Sequence, residues 1–249
     1  MSNNPFGTLD ENIEAAEDRL GGGGALDSDA YGSTITMAYA GESSGGARSL
    51  TAHFKLDDGR EYRETFYVTS GKEKGQKNYY ERDGKKMPLP GFTHANDLAL
   101  LSTGQSLSQQ EIEDRVVKLY DFDQKAEVPT KVQAVVSMIG KKVRLGILKI
   151  EENKSKRNDS TGQYDPVAND DGTPAIRQIN NLDKVFHYDT NKTVSEFTAR
   201  LETAEFYDKW VEKNKGKVVN KVKPLSGNAG KSGMPGASGG SSKPTTSLF

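Results

Sequence analysis

From Tyr31 to about Glu152 the side chains alternate with a period of two, and this restricts the chain more than any other feature. Successive side chains on a strand point to opposite faces, so alternation marks a segment with one face buried and one wet. "STITMAYAG" sets Ile35, Met37 and Tyr39 on one side, and "LTAHFKL" alternates Leu50, Ala52, Phe54 and Leu56 with Thr51, His53 and Lys55. "DDG" at 57–59 is a turn, after which "REYRETFYV" returns with Tyr62, Phe66 and Val68 facing one way. The three segments read as an antiparallel meander. "THANDLALLSTG" then reads as a short helix, with Thr93 as its cap and Gly104 as its stop. Strands resume at 116–122, 131–138 and 142–152.

The flanking segments read differently. Residues 1–30 form an acidic segment in which Thr8 and Glu11 have capping-box spacing for a helix over 8–20, and "GGGG" at 21–24 is a flexible joint. Residues 153–178 are rich in Asn, Asp, Gly and Pro and read as a long polar excursion between strands. "NLDKVFHYD" resumes as a strand. Thr193 with Glu196 then opens a helix to about Lys215, with Phe197, Leu201, Ala204 and Val211 on one face and Phe206 and Trp210 on another. The expected organisation is therefore an acidic segment 1–30, a β domain 31–190 with its insertion, a C-terminal helix 191–216, and a tail 217–249. From Pro224 onward 15 of 26 residues are Gly, Ser or Pro, a composition that cannot bury enough apolar surface to order itself, so the tail is expected to be disordered.

Several chemistries are argued against. There are no cysteines, hence no disulfides and no thiolate nucleophile. No run approaches the roughly 18 apolar residues of a membrane span, and the N-terminus lacks the basic and apolar regions of a secretory signal. A soluble cytoplasmic protein is expected. "GNAGKSG" at 227–233 has Leu225 where a phosphate-binding loop needs its first glycine, and "DPVANDDG" at 165–172 would put Val167 at a calcium ligand position. His53, His94 and His187 lack zinc-site spacing. The sequence calls for no catalytic group, metal or cofactor.

What remains is a charge asymmetry and a constellation of rings. Residues 1–30 carry seven acids and one base, a net −6, against −1 for the whole chain, which leaves +5 on the rest. "KEKGQKNYYERDGKKMPLPG" at 72–91 concentrates Lys72, Lys74, Lys77, Arg82, Lys85 and Lys86 around Tyr79 and Tyr80. Short meandering strands with a helix after the third give the order of an OB-fold-like antiparallel barrel, whose basic groove stacks bases on rings and tracks phosphates with lysines. Further candidates are Arg63 and Tyr67 on the third strand, the hairpin cations Lys141, Lys142 and Arg144, and Lys118, Tyr120 and Phe122 of "KLYDF". For the last group the alternative is that Tyr120 and Phe122 are core and Leu119 lies outside. For the lysine–tyrosine segment it is a solvated hairpin with one tyrosine turned inward.

The OB-like order, basic–aromatic hairpin, Gly/Ser tail and terminal Leu248-Phe249 together resemble the single-stranded-DNA-binding replication proteins of tailed bacteriophages. The resemblance covers most of residues 31–249 and rests on organisation, not on an invariant motif. It implies sequence-independent binding of single-stranded DNA in phage replication and recombination, in the bacterial host cytoplasm, without enzymatic activity. It also implies that the C-terminal segment, here matched by Leu248 and Phe249, competes for the groove or recruits replication or recombination proteins. Related tails are acidic before the last aromatic, whereas this one carries Lys231 and Lys243 and no acid. Masking of the groove is accordingly expected from the acids of residues 10–29 or from Glu196, Glu202, Glu205, Asp208 and Glu212. The competing reading is a structural or adaptor protein that binds other proteins through its β domain, its ends, and Phe206 and Trp210.

Overall fold

The computed structural model describes residues 24–121, 124–158 and 160–225. The expected helix at 8–20, Phe122, and the tail from 226 with Leu248 and Phe249 lie outside the described residues. The chain is mainly β, with three α-helices among the described residues. It forms two compact units, the larger made of residues up to 151 together with 178–220.

In the larger unit β1 (Asp29–Glu42) pairs antiparallel with β2 (Arg48–Leu56), and β2 with β3 (Glu61–Tyr67), which is the meander expected from the alternation. Leu50, Ala52, Phe54 and Leu56 are all at most 3% exposed and face the core with Tyr62 and Phe66. One detail differs from the expectation. The β1–β2 register shifts between Ile35 and Met37, a bulge at Thr36. Ile35 pairs with Phe54 and is buried in the core, whereas Met37 and Tyr39 pair with His53 and Thr51 on the opposite face. A bulge inserts one residue into a period of two, so Ile35 and Tyr39 are separated.

The hairpin β4 (Tyr79–Arg82) and β5 (Lys85–Pro88) precedes α1 (Pro90–Thr103). Asp83 and Gly84 turn it with φ of 52° and 72°, the left-handed pair of a type I′ turn. Helix α1 starts at Pro90, one turn earlier than a Thr93 cap implies, because proline's fixed φ and missing N–H suit the first helical position. Gly104 stops it in the left-handed conformation, as expected. Ala95, Leu98, Ala99 and Leu101 pack the helix onto the core.

The other edge of β1 is shared. Its first half pairs with β8 (Lys142–Asn153), and Tyr39 and Ala40 pair with β7 (Ala126–Val135), which carries β6 (Ile112–Asp121) as a ribbon. In the smaller unit, β9 (Ser155–Arg157) and β10 (Tyr164–Pro166) form a hairpin. There the Asn158 amide donates to Asp165 at 2.8 Å, and Arg177 meets Glu152 at 2.6 Å. The polar composition of this segment is thus spent on turns and local hydrogen bonds. β11 (Ile176–His187) pairs with β8, giving the path β11-β8-β1-β2-β3, and β12 (Val218–Asn220) joins β8 in parallel.

The sheet is not closed into a barrel, which corrects the expectation of closure. Closure of that path would require β3 to pair with β11. The Glu64 carboxylate takes the place of a ladder there, accepting from the Tyr62 hydroxyl and from the Leu182 amide at 3.3 Å. Burial and the Glu64 charge hold the Tyr62 phenol far above its ordinary pKa, so it remains a donor.

The single C-terminal helix expected to 215 is two, α2 (Val194–Thr198) and α3 (Phe206–Asn214). Arg200, at φ 55°, breaks the run. Glu196 explains why both ends are stable. Its buried carboxylate closes the Thr193 capping box and also accepts from the amides of Glu205 and Phe206 at 2.7 and 2.8 Å, at the start of α3. Burial opposes the charge, but these donors outweigh it and hold the Glu196 carboxyl below its ordinary pKa.

A Cβ on Gly91 would lie 2.3 Å from the Tyr67 carbonyl oxygen, backbone that cannot step aside as a side chain can. Gly91→Ala is therefore expected to push α1 off β3 and cost about 1–3 kcal/mol in urea unfolding. An unchanged midpoint would mean the helix start is not seated there.

Candidate nucleic-acid interface

Cross-strand partners share a face, so the register shows which side chains meet opposite the core. On β8 and β1 the pairs are Arg144 with Gly32 and Lys142 with Thr34. Thr34 continues to Lys55 on β2 and Glu61 on β3. The next rows are Met37, His53 and Arg63; Tyr39, Thr51 and Thr65; and Gly41, Ser49 and Tyr67. One outward face of β8-β1-β2-β3 thus carries Lys55, Arg63, Lys142 and Arg144 with Tyr67, which is 54% exposed. Tyr39 and Thr51 are its buried floor, and the Thr51 and Thr65 hydroxyls meet at 3.0 Å.

His53 sits in the middle of this face, 5.9 Å from the Tyr39 ring. Its Nε2 is buried without a hydrogen-bond partner. Burial, reinforced by Arg63, lowers its pKa and keeps it neutral.

At the β8 end, Tyr188 gathers the cations. Lys142 Nζ and the Arg144 guanidinium lie 4.8 and 5.6 Å from its ring centre, and its hydroxyl donates to Asp57 at 3.0 Å. Arg144 is also fixed by Asn191 at 2.9 Å and by the Tyr207 ring, so it is half-buried scaffold, while Lys142 and Lys141 are exposed. The sequence pattern points to neither Tyr188 nor the outward Tyr39. The bulge hides Tyr39, and only tertiary packing brings Tyr188 to these cations.

The lysine–tyrosine segment is anchored on the β1–β2 loop. The Lys72 amide donates to Gly45 at 2.9 Å, Gln76 to Gly46 at 2.7 Å, and Lys72 Nζ meets Glu42 at 2.9 Å. The pleat splits the tyrosines. Tyr79 shares a side with Lys86, and its ring has Lys86 at 4.8 Å and Lys77 at 5.6 Å. Tyr80, 42% exposed, shares the other side with Arg82, Lys85 and Met87. Lys74 joins Lys77 and both tyrosines around a shallow cleft.

The ribbon is separate. Because Tyr39 pairs with Ala134, and Ala134 with Glu113, the side of β6 bearing Lys118 and Tyr120 continues the face opposite Arg63 and Tyr67. Leu119 is half-buried on the other side, and Phe122 lies outside the described residues. As partner contacts, Phe206 and Trp210 also part. Trp210 is 4% exposed, packed against Gly146 and Phe186, with its indole donating to Asp183 at 2.7 Å, and so is core. Phe206 stays exposed, with Lys184 5.7 Å from its ring.

Among the described residues no group of His, Asp or Glu is arranged to hold a metal. A cleft between α1 and α2, lined by Leu101, His187, Val194 and Phe197, has no acid in its lining. Among the described residues no helix is long and apolar enough to cross a membrane. No protein-family model matches the sequence, and no curated protein matches it either.

His94 is depressed by burial and by Lys184, as His53 is by burial and Arg63. The native state holds both rings neutral, whereas the unfolded chain protonates near pH 6.5. Unfolding therefore takes up protons as pH falls, so this stability is full above about 6.5 and declines below it. Urea midpoints should drop between about pH 7.5 and 5.5, and the double variant His53→Gln/His94→Gln should flatten the drop. A flat profile in the unaltered protein would contradict the assignment.

Proposed function

We propose that this protein binds single-stranded DNA without sequence preference, and without enzymatic activity or a cofactor, across the outward face of β8-β1-β2-β3 and the β4–β5 hairpin. The observation that carries the reading is the shared face of Lys55, Arg63, Lys142 and Tyr67. It offers phosphate partners and an open ring at strand spacing. Exposed rings stack on any base because every base has a π-face, and cations track any backbone, which is why such a face is indifferent to sequence. Tyr67 and Tyr80 are the stacking platforms. Lys55, Arg63, Lys142, Lys74, Lys77, Lys85 and Arg82 neutralise phosphate.

The path β3-β2-β1-β8-β11 with a helix after β3 supports an OB-type fold opened at the β3–β11 seam. With the resemblance to tailed-phage replication proteins, this points to a role in phage DNA replication and recombination in the host cytoplasm, with Leu248 and Phe249 recruiting partner proteins. The adaptor reading is weaker because Trp210, its main anchor, is buried.

Fluorescence anisotropy with a labelled oligo-dT, titrated at several salt concentrations, tests this. Tyr67→Ala should weaken binding by about 5- to 150-fold, the equivalent of removing one stack of about 1–3 kcal/mol. Arg63→Glu with Lys142→Glu should reduce the salt slope by about 0.7 for each phosphate that is no longer neutralised. Absence of binding at low salt would overturn the reading.

A further inference from the structure

The β6–β7 ribbon has an edge that lies outside the proposed nucleic-acid face. Among the described residues β6 pairs with β7 alone as a strand, so alternate residues turn backbone donors and acceptors to its outer edge. Such an edge is a template for another strand unless it is blunted by charged side chains, proline or a bulge; the charges on β6 are of both signs, so another strand can meet them with opposite ones. β7 has Pro129, which has no N–H to offer a further strand. β6 contains neither proline nor glycine, and its ladder with β7 runs unbroken from Ile112 to Asp121. Its exposed large apolar residues are Ile112, Val116 and Tyr120, at 49%, 69% and 51%, all on one side of the strand.

We propose that this edge docks a second copy of the chain, the two β6 strands pairing antiparallel about a two-fold axis at Val116. The axis sets Val116 against Val116, Asp114 against Lys118 of the second copy, and Ile112 against Tyr120 of the second copy. Each strand supplies both halves of every pair, which is what an isologous interface requires. Opposite charges and aromatic–aliphatic pairs directly across an antiparallel ladder are stabilising. Asp114 already meets Lys131 of β7 at 2.8 Å, so it would lie between two cations. On the reverse side Arg115 is neutralised by Glu113 at 3.1 Å and faces Val117 of the second copy.

The neighbouring registers are worse. Centring on Arg115 opposes two arginines and sets Ile112 against Lys118. Centring on Val117 sets Val116 against Lys118 and leaves Asp114 against Tyr120, with no ion pair. Like charges directly opposite destabilise a ladder, so sequence and exposure select one register.

The chain has no cysteine, so a single engineered one reports its own contact. Directly opposed residues on antiparallel strands have Cα atoms about 4.5–5.5 Å apart, within the span of a disulfide. Full-length Val116→Cys should form a disulfide-linked dimer in oxidising buffer, while Lys131→Cys, exposed on β7, should not. Light scattering should show the unaltered protein as a dimer at tens of micromolar. Asp114→Lys and Lys118→Asp should each give monomer, and the two together should restore the dimer by reversing the same ion pair. That restoration separates disrupted pairing from misfolding. A monomeric unaltered protein, equal cross-linking at 116 and 131, or a charge-swapped double variant that stays monomeric would overturn the proposal.

Discussion

The pairing of β1 on both of its edges is the constraint to which the other strands of the large sheet answer. Fourteen residues long, it holds β2 on one side and divides the other between β8 and β7. The bulge at Thr36 changes which side chains face inward along its length. Ahead of it Ile35 enters the core; beyond it Ala38 does, and Met37 and Tyr39 turn outward. Pairing of Tyr39 with Ala134 then transmits that phase to the ribbon, so one inserted residue decides which side of β6 carries Lys118 and Tyr120.

Where regular hydrogen bonding stops, carboxylates take over. Glu64 bridges the open seam between β3 and β11, Glu196 caps two helices, and Asp183 receives the Trp210 indole. A buried or half-buried carboxylate is tolerable only with hydrogen-bond donors around it, and each of these sites supplies at least one. The outward face keeps two acids of its own, Glu61 beside Lys55 and Asp57 on the Tyr188 hydroxyl.

Magnitudes also distinguish the tyrosines. Tyr79 already has two ammonium groups near its ring, an exposed cation–π arrangement of about 0.5–1 kcal/mol each. A stacked base contributes about 1–3 kcal/mol, so displacing the lysines from Tyr79 is close to neutral. Tyr67 and Tyr80 present more open rings, 54% and 42% exposed. Tyr188 is held more firmly, through Asp57 and the half-buried Arg144, and serves as scaffold.

The strands, their turns and much of the core are legible in the order of residues alone. Alternation at 50–56 and 62–66, the "DDG" turn, and the Thr193–Glu196 capping box are local, and their physics acts within a few residues. The same local reading locates the lysine–tyrosine hairpin and picks out Arg63, Tyr67 and Lys142. Period two already sets Arg63 and Tyr67 outward together near His53 and Lys55, but it does not reveal that Lys142 joins their face, that Trp210 is core, or that the C-terminal helix breaks in two. Those outcomes rest on contacts between residues far apart in sequence, such as Gly146 with Trp210, and on a bulge whose single extra residue leaves no mark in composition. Alternation states that a strand has two faces. Which face a neighbouring strand covers is set by pairing register, and register is decided when the sheet assembles.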